Sequence, residues 1–332
     1  MIPAQTRSKT GRLLRRSGRN LGMLLALVAS IAVIAAMRPQ YLSAENLIVV
    51  ALQMSFVGIA ALGTAQLMIS GNIDLSIGPL FALTATVAAI LAKSTSPAVA
   101  AAAALTLGAA IGFTNGALVW RIKLSPLIVT LGSMAILRGV VLLATGGYAV
   151  RGVPKEFGAL GQARWLGLPT PLWALLLLAI TVHLVLTRTT LGRHIYALGG
   201  SREACTAVGI PVRRLVLGAF AANGAIVALA GLLAASRFGS ASPSFGTALE
   251  LDVITAVILG GVAFTGGDGN VLGVLLAVLL LGVINSGIVA VGIDPYYAEI
   301  VKGAALILAV GLDQLSQERR DRYRRAMAMR DR

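Results

Sequence analysis

Charge is scarce in this chain. Only 12% of its 332 residues are charged while 57% are hydrophobic, and mean hydropathy is +0.85. A soluble domain normally carries about a quarter charged residues, so most of this chain belongs in lipid. Cysteine is rarer still: Cys205 stands alone, which excludes disulfides within the chain and cysteine-based metal sites. The two histidines, His183 and His194, are eleven residues apart and do not make a metal site either. No GxxxxGK[ST] loop occurs, so ATP is not bound here by that route. GxSxG and HExxH are also missing, and nothing pairs a base with a nucleophile, which points away from an enzyme.

What is present is a succession of apolar runs. A helix needs about 17 to 25 such residues to cross the hydrocarbon core. Ten runs fit or approach that length: 21–37, 46–69, 77–92, 97–119, 127–145, 171–187, 214–236, 249–264, 271–290 and 297–312. The expected fold is therefore all-α, a polytopic membrane protein of about ten transmembrane helices. The first run follows a basic stretch, as a signal peptide would, but it is too long for an h-region and no small-x-small cleavage site follows. A retained first span is expected.

The net charge of +15 invites a nucleic-acid reading until the cations are placed. With the N-terminus inside, 20 of the 28 lysines and arginines fall in inside segments (1–20, 121–123, 188–214 and 313–332), six outside, and two, Arg138 and Lys302, within spans. That is the bias of the positive-inside rule, with both termini cytoplasmic. The charge reports topology, and no nucleic-acid partner is expected. The chain thus divides into a basic tail (1–20), a membrane domain (21–312) with a long cytoplasmic loop at 188–214, and a second basic tail (313–332).

Two segments between spans are dense in glycine. GNIDLSIG (Gly71–Gly78) makes a poor helix, because glycine loses backbone entropy and Asn, Asp and Ser compete for backbone hydrogen bonds. A broken helix results, and unwound backbone at membrane depth must be surrounded by protein or line a cavity. Asp74 and Ser76 also have the character of a helix cap. Asp74 is expected to organise a break beside the translocation path, with Asn72 and Ser76, and not to bind solute itself. GGVAFTGGDGN (Gly260–Asn270) echoes the pattern but reads locally as a tight turn.

Polar residues inside spans normally face protein or water. Gln53, Gln66, Thr130, Ser133 and Asn285 are candidates for the translocation pathway, and Asn223 is a further polar residue within a span. Glu299 and Lys302 are spaced to neutralise each other. Arg138 has no local acid, so it either snorkels or pairs across helices, Asp74 being a candidate. Glu250 and Asp252 are expected to be solvated at a span end. Small residues recur along the second and seventh spans, among them Gly58, Gly63, Gly224 and Gly231, which predicts close helix packing and a dimer.

The 188–214 loop contains its own punctuation. Ser201 can cap a helix beginning at Arg202, and Gly209-Ile210-Pro211 would end it.

These stretches carry a resemblance. GNIDLSIGPLFAL (with Asn72 where a second glycine is usual), TLGSMAILRG (130–139), GRHIYALGGSREACTAVGI (192–210), GGVAFTGGDGNVLG (260–273), Asn285 with Gly287, and Lys302-Gly303 through Asp313 occur in order over about residues 45–313. Together they are similar to the membrane permease subunit of binding-protein-dependent ABC importers of the ribose, xylose and galactose type. Permeases for autoinducer-2, rhamnose, inositol, nucleosides and branched-chain amino acids belong to the same superfamily. The resemblance implies a bacterial cytoplasmic membrane, a second permease copy or paralogue, two ATP-binding cassette subunits holding ATP and Mg, and an extracytoplasmic solute-binding protein, with no cofactor or metal in this chain. It implies that Gly200, Ser201, Arg202, Glu203, Ala204, Gly209 and Ile210 form the segment that seats in the ATPase. A small polar solute, a monosaccharide, would move by alternating access. An ion-coupled secondary transporter is the alternative, with Asp74 as its proton site.

Overall fold

A computed structural model describes residues 9–308 and residue 311, with side-chain burial from residue 18 onward. The last basic tail, 313–332, and the first eight residues of the N-terminal one lie outside the described residues.

Serine, asparagine and proline at the ends of the apolar runs set the helix starts. The order is α1 (Lys9–Met37), α2 (Ala44–Ile69), α3 (Ile77–Leu91), α4 (Pro97–Arg121), α5 (Pro126–Thr145), α6 (Lys155–Gln162), α7 (Thr170–Arg188), α8 (Thr190–Gly200), α9 (Arg202–Ala207), α10 (Val212–Phe238), α11 (Leu249–Leu259) and α12 (Val271–Ala290), followed by helical residues 296–308. Ser43 caps α2 by accepting from Asn46 N, Ser96 caps α4 ahead of Pro97, and Asn270 caps α12 by accepting from Gly273 N at 2.7 Å. Each cap satisfies an amide that the helix itself leaves open. Among the described residues the only sheet is a two-residue antiparallel pair, Arg164–Trp165 with Leu168–Pro169.

Seven of the described helices are long and apolar enough to cross a membrane. Two others are shorter than a span: α3 has 15 residues and α11 has 11. The run read as 249–264 stops as helix at Leu259, because Gly260 and Gly261 follow and Gly261 takes a positive φ of 94°.

Burial ranks the helices. Over an apolar 18-residue stretch of each helix, 67% of the α2 stretch and 61% of the α10 stretch are inside the protein, against 11% in α1 and 22% in α4 and α5. α2 and α10 therefore form the centre, and α1, α4 and α5 present their apolar faces outward. Glycine makes the central contacts close. A Cβ on Gly224 of α10 would overlap the carbonyl oxygen of Gly108 on α4, and one on Gly231 would overlap that of Phe81 on α3. Gly63 of α2 lies against the side chains of Asn223 and Ile226 of α10. The small residues noted in the sequence thus serve packing within one chain.

Between α5 and α7, α6 lies on the end of α10. Ser236 donates to the carbonyl of Phe157 at 2.6 Å and accepts from Gly161 N at 2.7 Å, with Phe157 fully buried.

Candidate functional site

α2 ends at Ile69 and α3 begins at Ile77, and the residues between them are held by side chains. Asp74 is fully buried. Its Oδ1 accepts from the Ser76 amide (2.8 Å) and the Ser76 hydroxyl (2.6 Å), and its Oδ2 accepts from Asn223 Nδ2 of α10 (3.2 Å). Ser76 Oγ in turn accepts from Asn115 Nδ2 of α4 (3.1 Å), and Asn115 Oδ1 accepts from Ser133 Oγ of α5 (2.5 Å). On the other arm Thr64 of α2 makes a long contact, 3.5 Å, to Asn223 Oδ1. Donors on both arms run toward Asp74, which fits a group that offers only acceptors. Four helices, α2, α4, α5 and α10, are thereby tied to one break. Asp74 organises the local turn, as a cap-like residue should, and the tie to three other helices goes beyond a cap.

Asn72 is buried beside this network and donates to Ser70 Oγ (3.0 Å) and the Ser70 carbonyl (3.3 Å). The remaining pathway candidates scatter. Thr130 is buried but donates to the carbonyl of Pro126 in its own helix (2.8 Å). Gln66 is buried with no hydrogen-bond partner for its Nε2 among the described residues. Gln53 is exposed on α2, and Asn285 is half-buried on α12. Asn115 was missed by the sequence reading, although an asparagine in an apolar helix carries the same signal as Asn223.

Arg138 does not pair with Asp74. It donates to the carbonyls of Pro243 (2.8 Å) and Phe245 (3.4 Å), in the non-helical stretch between α10 and α11 whose carbonyls have no helix partner. Both Asp74 oxygens are meanwhile taken by Ser76 and Asn223. Lys302 meets Glu299 at 3.0 Å as the spacing predicts, and also meets Asp252 at 2.9 Å. Asp252 is therefore an ion-paired, mostly buried group and not a solvated span end.

The loop at 188–214 folds as its punctuation predicts. Ser201 accepts from Ala204 N (3.1 Å) to start α9. Gly209, with φ +76°, follows its end, and Ile210 N returns to the carbonyl of Cys205 (3.0 Å). A left-handed residue just past a helix is the usual way to turn the chain away. Cys205, Leu198 and Val212 anchor α9 inward, with Ile210 against them. Arg202, Glu203, Ala204, Thr206, Ala207, Val208 and Gly209 face out. Arg202 also lies over the ring of Trp120 at the end of α4, 5.4 Å from its centroid. The Glu203 carboxyl is held below the usual glutamate range by its own backbone N–H and by the Ser201 hydroxyl (3.1 Å).

A cavity of about 1230 Å³ connects the two features. Asn72 lines one side, Gly200, Ser201, Arg202 and Glu203 line another, and Arg121, Lys123 and Arg213 make its rim basic. Among the described residues no group of three or more His, Cys, Asp or Glu could hold a metal.

Residues 46–310 match the family described as "Branched-chain amino acid transport system / permease component". The chain belongs to this permease family. The ribose import permease protein RbsC of Escherichia coli K12 is 39% identical over 299 residues, covering 89% of this chain and 93% of that protein. RbsC of Bacillus subtilis is 34% identical over the same shares. The D-allose transport system permease protein AlsC of E. coli K12 is 33% identical, covering 89% of this chain and 91% of that protein. No solved structure matches the chain. The permease is thus a multi-pass membrane transport subunit of the ABC importer class, and the ion-coupled alternative gives way to it.

Proposed function

We propose that this permease carries a monosaccharide across a bacterial cytoplasmic membrane as one of two permease subunits, a second copy or a paralogue, and that α9 is the seat of an ATP-binding cassette subunit. The exposed, capped, six-residue helix carries the reading. A helix this short has no stability of its own, so its start and stop signals and its apolar anchor serve to hold a shape on an outward face. The residues of the seat are Gly200, Ser201, Arg202, Glu203, Ala204, Gly209 and Ile210. ATP and Mg belong to the ATPase, and an extracytoplasmic binding protein delivers the solute.

In this reading the seven long helices make seven crossings, and α3 with the non-helical residues 70–76, α11 with the non-helical residues 241–248, and residues 296–308 make three more. Both termini are then cytoplasmic, with the 20-to-6 distribution of cations in support. Solute passes beside the break at 70–76, and the polar candidates Asn72, Asp74, Ser76, Gln53, Gln66, Thr130, Ser133 and Asn285 are assigned to that path or to the break. A monosaccharide is favoured because the relatives named above are ribose and allose permeases.

Co-purification of a co-expressed ATPase subunit tests the seat. Glu203→Arg combined with Gly209→Trp is expected to abolish both co-purification and uptake, and unchanged values for the pair would remove the assignment. For the solute, thermal shifts of the cognate binding protein with ribose, arabinose and allose are expected to single out one sugar.

A further inference from the structure

α8 reaches the helix break because Gly199 has no side chain. A Cβ at Gly199 would overlap both the carbonyl oxygen of Ile69, at the end of α2, and the amide nitrogen of Gly267, in the turn between α11 and α12. The other sides of the contact are equally bare. Gly71, with φ +78°, would place a Cβ 3.4 Å from the Gly199 Cα, and Gly266, with φ +87°, would place one 2.8 Å from the Gly71 Cα and N. Gly267, with φ +75°, would place one 3.0 Å from the Gly200 N. The Gly267 amide donates to the Ile69 carbonyl at 2.9 Å, and the Tyr196 hydroxyl of α8 donates to the Gly269 carbonyl at 2.8 Å. Three segments distant in sequence therefore meet backbone to backbone, with no side chain between them.

We propose that Gly71, Gly199, Gly266 and Gly267, with Tyr196, form a stiff joint that carries displacement of α9 to the break at 70–76 and to the turn that starts α12. The proposal rests on α9 being the ATPase seat. Its physical basis is the absence of compliance. A side chain in a contact relaxes by rotating, whereas packed backbone moves only as the helix attached to it moves. α9 begins two residues after Gly200. Asp74, which ties α4, α5 and α10 to the break, lies three residues after Gly71. Movement entering at α9 thus has a short and rigid route to the buried network. These glycines and Tyr196 are positioning residues, acting on the path through the segments they hold together.

The test uses the full complex in liposomes, with the binding protein loaded with whichever of ribose, arabinose or allose it binds. In Gly199→Ala the ATPase subunits are expected to co-purify as in the parent and to keep their basal hydrolysis. Stimulation by loaded binding protein and sugar uptake should each fall about tenfold, the scale of couplings carried through packed networks. Gly218→Ala, whose Cβ would meet nothing within 4 Å, is expected to match the parent. Parental uptake in Gly199→Ala overturns the joint. So does loss of ATPase binding by a well-folded Gly199→Ala permease, since the glycine would then shape the seat instead of transmitting from it. Tyr196→Phe, which removes one hydroxyl and adds no volume, keeps the proposal open to refutation if Gly199→Ala fails to accumulate. Its ratio of sugar moved to ATP hydrolysed should fall about threefold, and an unchanged ratio overturns the joint. A complex that keeps its ATPase and uptake despite Glu203→Arg with Gly209→Trp refutes the seat itself, a result separable from all of these.

Discussion

The two glycine-rich interruptions look alike in sequence and are built differently. At 70–76 every polar side chain is buried and partnered: Ser70, Asn72, Asp74 and Ser76 bond to one another or to α4 and α10. At 260–270 the acidic residue, Asp268, is exposed and its Oδ1 accepts from the adjacent Gly269 amide, while the segment meets its neighbours through bare backbone. Surroundings decide which solution applies. Around Asp74 and Ser76, both fully buried, no water is at hand, so the Ser76 amide is satisfied by a side chain, while the amides of Ser70, Gly71 and Asn72 return to carbonyls of α2. At the end of the bundle the backbone is partly exposed, and glycine can be used to bring chains together. An Asp between apolar helices is thus an organiser in one place and a turn residue in the other.

Replacing each aspartate by alanine breaks the comparison most sharply. Asp74→Ala strands the Ser76 amide, the Ser76 hydroxyl and the Asn223 amide group in a dry interior, at about 1–3 kcal/mol for each unsatisfied group. Against a total stability of about 5–15 kcal/mol this should abolish folded protein in detergent or lower its melting temperature severely. Asp268→Ala, which removes an exposed side chain that accepts from the adjacent Gly269 amide, should cost less than Asp74→Ala. Size-exclusion profiles after heating read both, and equal losses would show the two breaks to be equivalent.

A smaller effect tests the direction of the bonds. Asp74→Asn turns one acceptor into a donor that faces another donor, either Asn223 Nδ2 or Ser76. Its cost should be about 1–2 kcal/mol. Adding Asn223→Asp restores a donor–acceptor pair with the roles exchanged, so the double variant should be more stable than Asp74→Asn alone. The interaction energy in that cycle should be about 1 kcal/mol. If Asn223→Asp makes matters worse, the donors do not converge on Asp74. Ser133→Ala, at the outer end of the Ser76 arm, should cost about 0.5–1.5 kcal/mol, because it removes one bond and leaves Asn115 its link to Ser76.

The helices were legible because their signals are local. Apolar length placed most boundaries to within about two residues, and Ser201 with Gly209-Ile210-Pro211 framed α9. Partners were not legible where tertiary structure chooses among several acceptors. For Arg138 the sequence left open snorkelling or a pair across helices, with Asp74 as a candidate, and the fold gives its guanidinium the carbonyls of Pro243 and Phe245 beside Glu250. Asp252 was read as solvated, yet Lys302 reaches it from fifty residues away. Asn115 was overlooked because an amide in an apolar run says only that a partner exists, and Asn72, Asp74, Ser76 and Ser133 gain their common meaning only when α2, α4, α5 and α10 converge. The glycine joint was invisible for the same reason: Gly71 belongs to a stretch read as a broken helix, Gly266 to one read as a tight turn and Gly199 to the loop at 188–214, and their contact lies entirely between distant segments.

The smallest effect on the stability of the whole permease belongs to α9, which stands outside both interruptions. Glu203 titrates below the ordinary glutamate value, so its contribution to the helix start is present above that ordinary value and is lost as pH falls through the depressed one. Across the neutral range α9 should keep its cap unchanged, and only acid should loosen it. Ser201→Ala removes the acceptor for the Ala204 amide and the hydroxyl that stabilises the charged carboxylate. Loss of the cap should weaken the local helix by about 0.5–2 kcal/mol, and the acid transition should move to higher pH as the carboxyl returns toward its ordinary value. Hydrogen exchange of the 202–207 amides, corrected for the intrinsic pH dependence, measures both changes, while the melting temperature of the whole permease should stay within a degree or so of the parent. A global destabilisation by Ser201→Ala would mean that the α9 start is built into the bundle, and the helix could not then serve as a seat that moves.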